Sequence, residues 1–470
     1  MNKGSTCAIM SSVVGILPLV PFCFCRLDGT ARAAGADQTT PASPSNPFKV
    51  AIYDADPEHL WNRLYAALYV RTTEDGQSHG QEELDPLLWD NSTYLLREPR
   101  YQQVLGLLNE FLDRRGEKLI AHPLKKALLQ HDLWAVFDWL ADPYVEHVST
   151  TAHLGAERRA LRNRLAPVIR RLALSVEQIE KLPDNYSVAV ASEAYPPKQD
   201  AAHAEKAFLP RDLFDGHGPW VHFQTGGGKP YPFGKPTALT HVHFVGGRSA
   251  FFVFVNLPGG RQSTLDFMQE LNAFPKPDAS RGSRTPGFTS NPGLGPPPPS
   301  GTKLALVRQM MLIDDRGEIR PTRVIESVQI RIVNPITEKD NDSYEFTIHR
   351  KELYDSNNGL RAGRSDQVTL PLFNRTHDAD IFELPNRVRM IHEAVAKRVR
   401  KEPITENLRF DCVSCHKRQE IASTTAFFHD RPPGLTASER ANEVERVMRW
   451  KREKYQWGLL QGLTEELQKK

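Results

Sequence analysis

Apolar residues recur at helical spacing through the first third of the chain. Asp56-Pro57 reads as a helix start, a capping acid followed by proline at the first position, and Leu60, Leu64 and Leu68 then follow four residues apart. A second helix is predicted over 99–115, with Val104, Leu107, Leu108, Phe111 and Leu112 on one face and Gly116 as its stop. A third covers 123–141 on Leu128, Leu129, Leu133, Phe137 and Leu140. A fourth lies near 156–173, where Pro167 should kink or shorten it, and 175–181 adds one more turn. Trp61, Trp134 and Trp139 fall in this stretch and read as core.

From about residue 186 the period changes to that of strands. Ser187–Ala191 alternates. His241–Val245 and Ala250–Val255 flank Gly246-Gly247-Arg248, and Lys303–Ile313 and Arg323–Val333 flank Asp314-Asp315-Arg316-Gly317; both pairs read as hairpins. Tyr344–His349 and Gln367–Leu372 are further short strands. An amphipathic helix with a basic face follows at 386–402. A final helix runs from Thr436 to Lys454, and its continuation to Lys470 is weakened by Gly458 and Gly462.

These elements predict an α+β multidomain protein. A helical domain covers 48–182, a central antiparallel β sandwich or barrel-like domain covers 183–385, and a C-terminal loop-and-helix region covers 386–470. Residues 34–47 are small, polar and proline-bearing and read as a flexible linker. The Pro/Gly-rich stretch 274–301 reads as a long surface loop. A hydrophobic content of 40% with 25% charged residues is that of a globular protein, and a net charge of +3 gives no basic excess of the kind a nucleic-acid binder carries.

The N-terminus has the layout of an export signal. Lys3 precedes an apolar run over 7–25, and Ala31-Arg32-Ala33 and Ala34-Gly35-Ala36 are A-x-A-like cleavage regions. Residues 1–33 therefore read as a signal peptide, with an uncleaved membrane anchor as the alternative; Pro18 and Pro21 weigh against a regular spanning helix. Phe22 and Phe24 stand where a lipoprotein signal at Cys23 or Cys25 would want small residues. Cleavage removes three of the five cysteines, Cys7, Cys23 and Cys25, which leaves no disulfide scaffold.

The remaining two cysteines lie in Cys412-Val413-Ser414-Cys415-His416, a C-x-x-C-H sequence. Thiols three residues apart fall on one side of a helical turn, so both reach the two vinyl groups on one edge of a porphyrin, and the following histidine is carried beneath the iron. A thioredoxin-like pair would want a βαβ context, and a zinc site two further ligands at finger spacing. Neither surrounds this motif, and a bare disulfide leaves His416 unexplained. The segment resembles the haem-binding segment of a c-type cytochrome. The resemblance implies one covalent haem c, thioether links at Cys412 and Cys415, and His416 as proximal ligand to the iron.

The sixth ligand does not follow from the motif. Met448, in the final helix, and His429, beside Phe427 and Phe428, are the two candidates; their alternatives are helix-face packing and a surface loop. His241 and His243 share a strand face, and His349 and His392 are weaker candidates. Phe410, Phe427 and Phe428 would line the porphyrin. Lys397, Arg398, Arg400, Lys401, Lys417 and Arg418 would form a positive rim for an acidic redox partner protein, or a solvated helix face. Only 54 residues follow His416, which departs from the arrangement of small cytochromes c. Three functions follow from these readings. The first is a periplasmic electron carrier that meets a membrane only through its N-terminus. The second is a haem oxidoreductase, peroxidase-like or amine-oxidising, with an open sixth position. The third is a cell-envelope binding or scaffold protein with an accessory haem.

Overall fold

The leucine spacing at 60, 64 and 68 forms a helix, one turn later than Asp56-Pro57 implies. In the computed structural model α1 is Leu60–Tyr69, capped by the His59 ring, which accepts from the Trp61 amide. Asp56 instead closes the preceding turn through its carbonyl to the His59 amide, at 3.0 Å. The structure describes residues 50–72, 78–79, 93–143, 153–200, 206–225, 247–273, 298–333, 342–364 and 435–468. All lie in one compact unit, Ser45–Lys470.

A short antiparallel pair, β1 (Arg71–Thr72) and β2 (Ser78–His79), follows α1. Next come α2 (Arg100–Asp113) and α3 (Pro123–Leu140). Gly116 ends the α2 region for a steric reason, since a Cβ there would sit 2.5 Å from the Phe111 ring; its carbonyl accepts from Trp61 Nε1 at 2.9 Å. Helix α3 is buried around nearly its whole circumference, and Trp61, Trp134 and Trp139 are core residues as expected. Helix α4 (Gly155–Arg171) carries Pro167 without ending there. The turn expected at 175–181 is α5 (Val176–Glu180), closed by a capping box between Ser175 and Gln178.

One expected strand is a helix. Ser187–Ala191 belongs to α6 (Asn185–Ala191). Asp184 caps it by accepting from the Ser187 amide, and the Asn185 side chain bonds both backbone groups of Ile325, at 2.7 and 2.9 Å. A five-residue alternation carries too little information against a good cap and a tertiary anchor.

The sheet elements are β3 (Val221–Thr225), β4 (Ser249–Asn256), β5 (Lys303–Ile313), β6 (Ile319–Ile332), β7 (Asp342–Ile348), β8 (Leu360–Arg364) and β9 (Leu435–Ala437). They form one seven-stranded antiparallel sheet in the order β8-β7-β6-β5-β4-β3-β9. The α+β expectation holds, and where a sandwich or barrel was expected the described strands make a single sheet. Residues 365–434 are bracketed by its two edge strands. Helix α7 (Gly260–Ala273) follows β4, α8 (Arg350–Ser356) connects β7 to β8, and α9 (Arg440–Arg452) and α10 (Tyr455–Gln468) close the described chain. The predicted strands at 241–245 and 367–372 and the helix at 386–402 lie outside the described residues.

Helix α3 is joined to the sheet by polar contacts as well as by packing. Gln130 completes the end of β5, donating to the Ile313 carbonyl at 2.8 Å and accepting from its amide at 3.0 Å. Apolar residues from α1 through α10 contribute to one core. Between β5 and β6 the register shifts, so that Ser327 pairs with Arg308 while Ile325 pairs with Gln309. The extra residue, Glu326, is fully buried.

Candidate functional site

Cys412, Cys415, His416 and His429 lie outside the described residues, as do His241, His243, His392, Phe410, Phe427, Phe428 and the basic residues from Lys397 to Arg418. Met448 is on α9, half-buried against the core. His349 sits at the start of α8, where its amide donates to the Gly359 carbonyl at 2.7 Å.

What the fold does assemble is a cluster on one face of β9, β3 and β4. His222 on β3 is in register with Phe254 on β4, and Gln224 on β3 with Thr436 on β9. The His222 ring lies 5.3 Å from the Phe254 ring and 5.7 Å from that of Phe252. Phe214 adds a third aromatic, 5.7 Å from Phe254. Arg440, the first residue of α9, lays its guanidinium over Phe214 at 4.2 Å and over Phe252 at 5.9 Å.

Three buried polar atoms of this cluster lack a hydrogen-bond partner. Nδ1 of His222 lies 2.9 Å from the Ser438 carbonyl. A carbonyl only accepts, so Nδ1 carries the proton and Nε2 keeps the lone pair. That Nε2 is buried and has no hydrogen-bond partner, and the same holds for Gln224 Oε1 and Thr436 Oγ1. Burial is the main influence on the imidazole; Arg440 and Arg446 add to it, the Ser438 bond opposes it, and the pKa is held down to about 4. The ring is therefore neutral at pH 7. The Arg440 guanidinium lies over the two aromatic rings and feels the charge of Asp184.

Three other buried polar clusters pair acids with bases, and they too hold buried atoms without a hydrogen-bond partner, such as His131 Nδ1 and Asp138 Oδ1. Glu326 meets Arg308 at 2.9 Å, Ser249 Oγ at 2.6 Å and His131 Nε2 at 3.2 Å. Asp138 holds Arg248 at 2.8 Å and Lys451 at 2.5 Å through the same oxygen. Asp132 holds Arg350. These join α3 to the sheet and to α8 and α9, and each acid faces its cation. Among the described residues there is no group of three or more His, Cys, Asp and Glu side chains that could hold a metal, and no helix long and apolar enough to cross a membrane.

No family model, no curated protein and no solved structure matches this chain. The haem expected from the C-x-x-C-H sequence is therefore tested on the residues alone. A haem asks for apolar, aromatic walls, an imidazole nitrogen with a free lone pair, and cations for its propionates. Phe214, Phe252 and Phe254, the imidazole of His222 and the guanidinium of Arg440 are of the right residue types, but Nε2 is fully covered and Cys412–His416 lies outside the described residues, so this cluster does not place a haem. Reading the sequence alone missed His222. It stands in Trp220-Val221-His222-Phe223, and a histidine inside an apolar strand is the one signal that would have singled it out.

Proposed function

We propose that this protein is an exported, c-type cytochrome-like electron carrier with one covalently held haem. The observation that carries the reading is Cys412-Val413-Ser414-Cys415-His416, supported by a signal-like N-terminus that would deliver the chain to where haem is attached. Cys412 and Cys415 form the thioether links, His416 is the proximal ligand, and Met448 and His429 are the ligand candidates nearest in sequence. When bound, the haem supplies a one-electron couple at its iron. The chain's own part is to hold both faces of the ring, exclude water from it and place charge near its propionates; basic residues around the motif orient an acidic redox partner. The domain limits read from the sequence, with 386–470 as the haem-binding region, belong to the same proposal.

The test is the absorption spectrum of purified holoprotein, matured in a periplasm competent for haem attachment. Six-coordinate low-spin haem that ignores cyanide supports electron transfer. High-spin haem that reacts with peroxide would move the protein to the oxidoreductase reading.

A further inference from the structure

We propose that Asn358 is a site of spontaneous deamidation, in which the Gly359 backbone nitrogen attacks the asparagine side chain and converts it, with loss of ammonia, to aspartate and isoaspartate. The proposal lies outside the haem reading and does not depend on it.

The chain contains a single Asn-Gly step, Asn358-Gly359. It sits at the corner between α8 and β8. Asn357 takes the left-handed conformation that ends α8, with φ +59°, and its amide donates to the Leu353 carbonyl at 3.1 Å. Gly359 also has a positive φ, +71°. Its carbonyl accepts from the His349 amide at 2.7 Å, which closes the corner onto the start of α8. A Cβ at this glycine would lie 2.8 Å from the Leu353 Cβ and 2.9 Å from the His349 carbonyl oxygen, so no side chain fits. The fold therefore demands the one following residue that leaves an asparagine side chain sterically open to its own backbone.

Three features of the corner favour the attack. Asn358 Oδ1 accepts from the Leu360 amide at 3.3 Å. This Asx turn folds the side-chain carbonyl back along the chain and holds it beside the intervening Gly359 nitrogen. The same bond is aimed at the oxygen on which negative charge grows during the attack, and a donor so placed stabilises that charge. Second, the Gly359 amide, which is the nucleophile, is held by no hydrogen bond among the described residues. Third, Asn358 is only half-buried and follows the exposed Asp355, Ser356 and Asn357, so its side chain is open to water.

Water is the only co-reactant. Hydroxide removes the Gly359 amide proton, the nitrogen bonds to Asn358 Cγ, and the bond from Cγ to the side-chain nitrogen breaks to release ammonia. Water then opens the cyclic imide. Opening at Cγ gives aspartate. Opening at the main-chain carbonyl routes the chain through the side chain and gives isoaspartate, with one more carbon in the backbone. Either product puts a carboxylate where a neutral amide stood. The longer one strains both the close approach of Gly359 to Leu353 and the pairing of Leu360 with Ile348 that starts β8.

The experiment incubates the purified protein, folded and in urea, in heavy-oxygen water at neutral and mildly alkaline pH. The tryptic peptide Glu352–Arg361 is then fragmented to separate Asn357 from Asn358, and isoaspartate is detected enzymatically. The heavy oxygen marks conversions that precede digestion. The folded protein is expected to convert at Asn358, into both products, at least as fast as the unfolded chain and faster in proportion to hydroxide. Asn358→Gln, which would have to close a larger ring, should show no conversion there. A folded protein that keeps Asn358 intact, or converts it more slowly than the unfolded chain does, overturns the proposal, and so does conversion at Asn357 instead. The unsubstituted protein alone decides, so the result stands whether or not the variant folds.

Discussion

Arg350 grips Asp132 with two hydrogen bonds, at 2.6 and 2.8 Å, across 218 residues of sequence, and neither side chain reaches solvent. Tyr53 joins the pair, donating to Asp132 and accepting from Arg350 at 2.9 Å. The contact fastens α3 to α8. Burying two charges is costly, and removing one leaves the other unpaired, so Asp132→Asn should lose about 3–5 kcal/mol of stability. The double change Asp132→Leu with Arg350→Met should cost far less than the sum of the single changes. Urea unfolding midpoints check both.

Lys451 gives the stability a pH dependence. It is fully buried, with Asp138 as its partner and Arg248 bound to the same carboxylate. Burial is the main cause of its lowered pKa, Asp138 opposes it, Arg248 adds to it, and the value falls to about 8. The unfolded lysine titrates near 10.4. Below pH 8 the ammonium is charged in both states and the folded state bears the cost of burying it. As pH rises from 8 towards 10.4 the unfolded chain binds more protons, so this group makes the fold more stable, by on the order of 3 kcal/mol in all. In Lys451→Met, where Asp138 keeps Arg248, that rise should be absent. Unfolding free energies at pH 7 and pH 9.5 for the two proteins test this.

Gly247 and Gly458 should respond oppositely to alanine. Gly247 has φ +77°, and a Cβ there would lie 2.8 Å from the Trp450 ring. Left-handed strain and crowding together predict a loss of about 2–3 kcal/mol. Gly458 lies within α10 with nothing within 4 Å of the added atom, so Gly458→Ala should gain about 1 kcal/mol from helix propensity. Thermal melting of the two variants decides.

Met448 packs half-buried on α9. Met448→Leu keeps its volume and apolar character, so a stability change under about 1.5 kcal/mol is expected. Chemical denaturation of the variant measures it.

Long periodic segments were legible in the sequence because pattern and environment agree in them. Strand β5 begins and ends where alternation and the Asp314–Gly317 turn place it, and α2 and α3 follow their leucines. Short elements were not. Strand β8, Leu-Arg-Ala-Gly-Arg, has too few apolar residues to declare itself, and its place beside β7 comes from pairing. Helix α7 carries a readable signal, Thr264, Phe267, Met268 and Leu271 at helical spacing. For the site, the division is sharper. The proposed thioether attachment is a local chemistry, expected from five consecutive residues. The tautomer of His222 depends on Ser438, 216 residues away, and no local pattern records a contact that only the β3–β9 pairing creates.

The central claim is that a porphyrin is bonded to this polypeptide, and intact mass spectrometry of the denatured protein after export through a haem-attaching periplasm tests it most directly. The mature chain is expected to be heavier by one haem, with the increment lost in a Cys412→Ser, Cys415→Ser double variant. A denatured mass equal to that of the bare mature chain would contradict the account.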